Sequence, residues 1–389
     1  MKIMAAPDSF KGTLSALEAA RAMAEGVQCA DREAEVILLP AADGGEGTMS
    51  SMVSATGGTF ATHVVEDPLG RKVHARYGVL GDGKTCIVEI AEASGLPLLK
   101  KRERSPLTAS SYGTGELIRH ALDAGLRTFI IGLGGSATND AGAGMVEALG
   151  MKLLDQNGEP LPRGGRALGD LATLDVTAFD PRIKESTFLI ASDVENPLVG
   201  EQGASAIFGP QKGASKEMVA YLDANLANFA NVVEQHNGIA LHTKRGAGAA
   251  GGAGGVLQAF FNGQMRRGID VVLEAISFAE HLETADVVLT GEGKTDSQTL
   301  SGKTPFGIAE AAEEKGKPVL LVSGMVDASS LHLLAPHFTE IHSVVGETVS
   351  KAQAIEHAYE ELKKKTEAVI KAYFKKIEGE IRSSGDCAE

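Results

Sequence analysis

Val287–Ala309 reads VVLTGEGKTDSQTLSGKTPFGIA. An apolar run, Ala285–Thr290, ends in a Gly-rich turn. Thr304-Pro305 then opens a helix, with proline where a missing N–H does no harm. Strand, Gly-rich turn and helix form the unit from which parallel α/β sheets are built. The same stretch holds Gly-Lys-Thr twice, at Gly293–Thr295 and Gly302–Thr304. A P-loop needs another glycine five positions before its Gly-Lys, and those positions hold Val288 and Ser297. The turn is therefore read as an anion-handling turn of another kind. The backbone N–H groups of Gly291 and Gly293 can cradle phosphate oxygens, and Lys294 adds a mobile positive charge. Glu292 and Asp296 are oxygen ligands of the kind Mg²⁺ takes. A plain surface turn with solvated charges is the competing reading.

The same grammar surrounds this stretch. Downstream, Lys315–Pro318 closes the helix, Val319–Ser323 and Glu340–Val345 read as strands, and Ser350-x-x-Gln353 is a capping box. Ile355, Tyr359, Leu362, Thr366, Val369 and Tyr373 then step by three and four, which predicts one helical stripe. At the other end of the chain, Lys2–Pro7 and Val36–Pro40 read as strands. Each is followed by a loop and a helix, the first opened by the capping box Ser15-x-x-Glu18. Two such units at the start and about three at the end make a complete flavodoxin-like parallel sheet. The expected plan is thus an α/β protein: a flavodoxin-like domain, 1–60 with 285–378, interrupted by a larger inserted α/β domain with a mixed sheet, 61–284. Residues 379–389 read as a loose polar tail. In the insert, Thr59–Val65, Val73–Leu80 and Thr85–Ile90 are strands joined by tight turns, so antiparallel pairing is expected there. Thr128–Leu133 and Thr187–Ala191 are further strands, and Thr114–Asp123 and Tyr221–Glu234 read as helices.

Composition agrees with this. The chain has 389 residues, and 47 of them are glycine, clustered after apolar runs rather than periodic. The formal net charge of −14 argues against nucleic acid, which needs a basic surface. Cys29, Cys86 and Cys387 are far apart and form no Cys-x-x-Cys pair, which argues against a disulfide framework or structural zinc. No apolar run is long enough to span a membrane and the start lacks a signal peptide, so a soluble cytoplasmic protein is expected. The sequence leaves homo-oligomer formation open.

Other loops at expected strand ends carry chemistry. DSFKGTLS (Asp8–Ser15) offers Asp8, Ser9 and Lys11. ADGGEGT (Ala42–Thr48) offers Asp43 and Glu46. GLGGSATNDAGAGM (Gly132–Met145) has Gly134, Gly135 and Ser136 for close backbone approach to a nucleotide and Thr138 as a donor. Its glycines do not match the spacing of a dinucleotide fingerprint, which weakens an oxidoreductase reading. Asp193 follows an apolar strand and could orient and deprotonate a hydroxyl. FGPQKGA (Phe208–Ala214) supplies Lys212. Each loop also has a plain turn or packing explanation. Esterase elbow, zinc-protease and protein-kinase motifs are absent. Phosphoryl transfer, which needs mostly positioning and charge, remains.

The segments APDSFKGTLSA, PAADGGEGT, SSYGTGELIRHALDAG, GLGGSATNDAGAGM, SDVENPLVGEQGASAIFGPQKGAS, GAGAAGGAGG and TGEGKTDSQTLSGKTPFGIA resemble the bacterial glycerate kinases of the type I family, in order from about residue 2 to about 375. The resemblance implies transfer of the ATP γ-phosphoryl group to D-glycerate with Mg²⁺, 2-phosphoglycerate being favoured, in an interdomain cleft. On that reading Asp193 orients the glycerate hydroxyl, and Lys294 and Lys11 offset phosphate charge. Asp296, with Glu292 or Asp43, holds Mg²⁺. Gly134, Gly135, Ser136, Thr138, Gly291 and Gly293 contact the nucleotide, and Asp8, Ser9, Lys11 and Lys212 face the substrate. A nucleotide-dependent oxidoreductase and a non-catalytic nucleotide-binding protein on the same scaffold are the alternatives.

Overall fold

In the computed structural model, residues 1–385 are described. The chain divides into two compact units, Met1–Asp43 with Val272 onward, and Gly44–Val271. The first is built on a five-stranded sheet in the spatial order Glu340–Ser343, Val319–Ser323, Val287–Thr290, Lys2–Ala5, Glu35–Leu38. Every pairing is parallel. Counted along the chain this is the flavodoxin-like order 2-1-3-4-5.

Burial explains why the strands were readable. Val287–Thr290 and Val319–Ser323 are buried at every position, as central strands covered on both faces must be. The edge strands Glu35–Leu38 and Glu340–Ser343 are only partly covered. Alternate residues serve opposite faces. Ile3, Ala5, Val287, Leu289, Leu320 and Val322 pack with Met23 and Val27 of the helix Ala16–Ala30 and with Leu362, Val369, Ile370 and Tyr373 of the helix Ala358–Gly385. Met4, Val288 and Leu321, also buried, face the other way. The helix Thr304–Glu313, with its proline in the first turn, packs against the strands Val287–Thr290 and Val319–Ser323.

Both capping boxes form, at Ser15/Glu18 and at Ser350/Gln353. The stripe from Ile355 to Tyr373 does not run through one helix. A short helix, Lys351–Glu356, ends at His357, whose backbone leaves the helical region (φ −119°, ψ 38°), and a new helix starts at Ala358. Leu362, Thr366, Val369 and Tyr373 are buried as predicted, whereas Ile355 is 54% exposed. The new helix continues through Gly385, so residues 379–385 are helical rather than a loose tail. Residues 386–389, Cys387 among them, lie outside the described residues.

The second unit carries a six-stranded mixed sheet, in the order Gln264–Arg266, Thr187–Ala191, Thr128–Gly132, Thr85–Glu89, Lys72–Val79, Thr59–Glu66. The first four are parallel neighbours and the last two join antiparallel, as the tight turns predicted. Its core includes Phe129 and Phe188, with ring centroids 4.7 Å apart, and Phe261, which meets Phe188 edge-on. Residues 44–60, grouped with the first segment by the sequence pattern, fall in this unit. The helix Thr48–Thr56 is held there by packing on the strands Lys72–Val79 and Thr85–Glu89. Among the described residues no helix is long and apolar enough to cross a membrane.

Candidate active site

In the first unit the loops that follow the parallel strands meet around a pocket of about 480 Å³. Its lining includes Asp8, Ser9, Lys11, Asp43, Glu292, Gly293, Lys294 and Asp296, all expected from the sequence, and Lys303 and Lys351, which were not. Backbone hydrogen bonds knit the loops together. The Asp8 N–H donates to the Gly291 carbonyl at 2.9 Å, Gly324 N–H to Glu292 at 3.0 Å, Met325 N–H to Gly293 at 3.1 Å and Asp327 N–H to Thr295 at 2.9 Å. Gly291 is required by this closeness, since a Cβ there would lie 2.0 Å from the Val322 carbonyl oxygen.

The two Gly-Lys-Thr triplets work differently from a P-loop. Each turns its threonine inward and leaves its lysine on the pocket. The Thr295 hydroxyl donates to Glu292 Oε1 at 3.1 Å and lies 2.7 Å from the Ser323 hydroxyl. The Thr304 hydroxyl donates to Asp8 Oδ2 at 2.7 Å. Lys294 is exposed and places its ammonium 2.8 Å from Asp296 Oδ2, while Lys303 Nζ lies 3.8 Å from Glu292 Oε2. Glu292 Oε1 also accepts from the Thr299 hydroxyl at 2.6 Å. Asp296 Oδ1 accepts the Gln298 N–H at 3.0 Å and so caps the turn Ser297–Ser301.

Electrostatics separate these carboxylates. Burial, with the charge of Asp43 beside it, pushes the Asp8 carboxyl up to about 6, although the Thr304 hydroxyl, the Ser9 N–H and Lys11 all favour its ionised form. Burial also raises Glu292, against the Thr299 hydroxyl and Lys303. Asp296 goes the other way, held below the usual range by Lys294.

In the second unit the Gly-rich loop after Thr128–Gly132 is supported from beneath. Lys212 is 1% exposed, and its Nζ donates to the Ser136 hydroxyl at 2.9 Å and to the Thr138 carbonyl at 2.7 Å. Burial pushes this ammonium down to about 7, opposed by Asp140. Asp140 is itself buried. Its Oδ2 accepts from the Ser111 N–H at 2.8 Å and the Ser111 hydroxyl at 2.9 Å, and its Oδ1 from the Gly142 N–H at 3.1 Å. Ser136, Thr138 and Lys212 are thus brought together, but as buried partners of one another. Gly134 and Gly135 remain at the surface of the loop. Thr138 Oγ1 and Asn139 Oδ1 are buried with no hydrogen-bond partner.

The Gly-richest stretch, Arg245–Gly255, packs against this loop. The Ala141 N–H donates to the Gly251 carbonyl at 2.9 Å, and a Cβ on Gly251 would lie 2.0 Å from the Thr138 carbonyl oxygen. Ala141 and Ala250 both sit in the left-handed region, at φ 54° and 52°. Backbone strain of this kind persists only where the surrounding structure enforces it.

Asp193 follows the strand Thr187–Ala191, is exposed, and accepts the Gly268 N–H on Oδ1 at 3.1 Å. The neighbouring Asn196 donates from Nδ2 to the Gln202 carbonyl at 2.8 Å, and Glu195 pairs with Arg245. Besides Asp140, a carboxylate at a strand end was missed by the sequence reading. Glu89, at the end of Thr85–Glu89, is buried and accepts the Met49 N–H on Oε1 at 2.7 Å, capping from a distance a helix whose own N-cap, Gly47, has no side chain. Burial raises Glu89 to about 7. Its place at a parallel strand's carboxyl end was the signal that could have found it.

The family model for the glycerate kinase family matches residues 3–374. The chain is 48% identical over 360 residues to the glycerate kinase of Bacillus subtilis (strain 168), covering 92% of this chain and 94% of that one. It is 48% identical to the glycerate 2-kinase of Escherichia coli (strain K12), over 83% and 85% of the two chains. A crystal structure from Salmonella typhimurium LT2, provisionally described as glycerate kinase 2, superposes with a TM-score of 0.89 at 44% identity, covering 97% of this chain and 99% of that one. The match takes in both units and every loop described above, and the chain belongs to the glycerate kinase family of phosphotransferases.

Proposed function

We propose that the protein phosphorylates D-glycerate with ATP, that 2-phosphoglycerate is the product, and that the reaction uses Mg²⁺ and takes place in the cytoplasm. The observation that carries this reading is the pocket at the strand ends of the first unit, where carboxylates and lysines from remote loops converge in a member of this family. The name of the Escherichia coli relative, glycerate 2-kinase, supports the 2-hydroxyl as acceptor.

The donor set fits a magnesium ion. Mg²⁺ is usually held by one or two carboxylates, substrate phosphates and water rather than by a complete protein cage. Among the described residues no group of three or more ligating side chains could hold a metal. Asp296, with Glu292 or Asp43 in the same pocket, is the candidate ligand set. When bound, the ion neutralises charge on the transferring phosphoryl group.

The residues of the chain supply the rest. Lys11 and Lys294 offset phosphate charge, and Ser9 and Lys11 take the glycerate carboxylate. Gly291 and Gly293 offer N–H groups to the nucleotide, as do Gly134 and Gly135 on the second unit, whose loop rests on Ser136, Thr138 and Lys212. Asp193 accepts the proton of the glycerate 2-hydroxyl as its oxygen bonds to the γ-phosphorus. The bond from that phosphorus to the bridging oxygen breaks, and ADP leaves with the electron pair.

The test is an ATP-dependent assay with D-glycerate and Mg²⁺, with the product identified by phosphorus NMR. ADP formation with a 2-phosphate ester is expected. A 3-phosphate ester would correct the acceptor position, and NAD-dependent turnover without ADP would overturn the reading. Asp193→Asn retaining full turnover would remove the proposed base.

A further inference from the structure

The pocket in the first unit has a part that neither a three-carbon acid nor a phosphate chain uses. Beside its charged residues it is lined by Met325, Val345, Ala354 and Ile355. Glycerate carries a carboxylate and two hydroxyls on three carbons and has no apolar face to bury. A volume of about 480 Å³ is in the range that accommodates ligands several times larger.

Ala354 also packs against the core of the first unit; Met325, Val345 and Ile355 are placed by the loops and by the short helix. Met325 is fixed beside the Gly-rich turn by a short parallel ladder, Lys294 to Met325 and Thr295 to Val326. Val345 follows through its N–H, which donates to the Gly324 carbonyl at 2.9 Å. On the short helix Lys351–Glu356, Lys351, Ala354 and Ile355 are spaced i, i+3 and i+4, so they share a face. All three line the pocket, and no residue of this helix is buried. The break at His357 separates Ile355 from the stripe that packs on the sheet. A lone exposed isoleucine needs no explanation. Met325, Val345, Ala354 and Ile355, gathered in one pocket with Phe10 and next to a turn edged by Lys294 and Lys303, do.

We infer that Met325, Val345, Ala354 and Ile355 form the seat for the purine base of the nucleoside triphosphate, with the Gly293–Thr295 turn and its neighbouring lysines under the phosphates. A flat apolar base joined to a polyanion is the ligand whose two halves match the two kinds of lining. The inference rests on the proposed function only in taking a nucleoside triphosphate as the phosphoryl donor.

The test uses the full chain and the neutral, exposed substitution Ile355→Asn, with Ile355→Leu as the conservative control. In initial-rate kinetics Ile355→Asn should raise KM for ATP by about tenfold, a loss of about 1.4 kcal/mol, while KM for glycerate stays within about twofold and Ile355→Leu restores the wild-type value. In titrations with a ribose-labelled fluorescent ATP, Ile355→Asn should lose affinity by the same factor. Tripolyphosphate, which has no base, should compete equally well with wild type and variant. Unchanged ATP affinity, a rise confined to the KM for glycerate, or an equal loss for tripolyphosphate would each overturn the base seat. If the wild type makes no phosphoglycerate, the proposed function fails, and the fluorescent titration still decides the base seat on its own.

Discussion

The ammonium of Lys212 lies 2.7 Å from the carbonyl oxygen of Thr138, inside the second unit. This contact joins the turn Pro210–Lys212 to the Gly-rich loop and makes a buried lysine part of that loop's support. Lys212→Met removes the donor and leaves the Ser136 hydroxyl and the Thr138 carbonyl without it, so it should lower unfolding free energy by about 1–3 kcal/mol in urea denaturation.

The same lysine gives a pH dependence with a definite sign. In the unfolded chain it keeps its proton to near its ordinary value of 10.5, whereas in the folded protein it releases it at about 7. The unfolded state therefore binds more protons across that window, and stability rises with pH from about 7 upward. The cost of the buried charge is fully present below that window. Denaturation midpoints at pH 6.5 and 9 should converge in Lys212→Met relative to wild type.

Asp8 should trade stability for activity. Its carboxylate is buried and close to the charge of Asp43, and both effects oppose its ionised form. Asp8→Asn should make the protein more stable at pH 8, by about 1–3 kcal/mol, while lowering kcat/KM at least about a hundredfold, or about 2.7 kcal/mol of barrier. A purely structural Asp8 would lose stability instead. In the wild type the acid limb of the kcat/KM profile should lie at about 6.

Thr304→Val tests the same carboxylate from its partner. The Thr304 hydroxyl favours ionised Asp8, so its loss should move the acid limb to higher pH. A limb that stays in place would dissociate Asp8 from that titration.

Glu89 should matter as an acceptor more than as a charge. Glu89→Ala leaves the Met49 N–H unpaired and should cost about 1–2 kcal/mol, as lost helix caps do. Glu89→Gln keeps an acceptor and should be close to wild type at pH 6, where Glu89 is largely protonated. Thermal melts of the two variants distinguish these outcomes.

The sheet of the first unit was legible because its central strands are covered on both faces and therefore read as unbroken apolar runs. Parallel strand ends then located Asp8, Lys11, Asp43 and the Gly291–Lys303 turn without any knowledge of side-chain direction. What the pattern could not show was which way residues inside a Gly-rich loop point. Ser136 and Thr138 turn under their loop because Lys212, 74 residues beyond Thr138, meets them there. Ile355 fitted the helical spacing of Leu362 and Val369, and only the backbone break at His357 takes it out of the stripe. Lys351 was likewise unreadable, since its place depends on that same short helix.

The parallel pairing of Lys2–Ala5 with Val287–Thr290 has a consequence for biosynthesis. The backbone N–H of Lys2 donates to the carboxylate of Asp286, 284 positions later. At ordinary elongation rates the nascent chain takes on the order of 15–60 s to cover that separation. By then Gly44–Val271 has been synthesised in full, while the first strand still lacks its central neighbour. The strand Lys2–Ala5 is thus made well before Val287–Thr290 and gains that neighbour only after the insert has been synthesised.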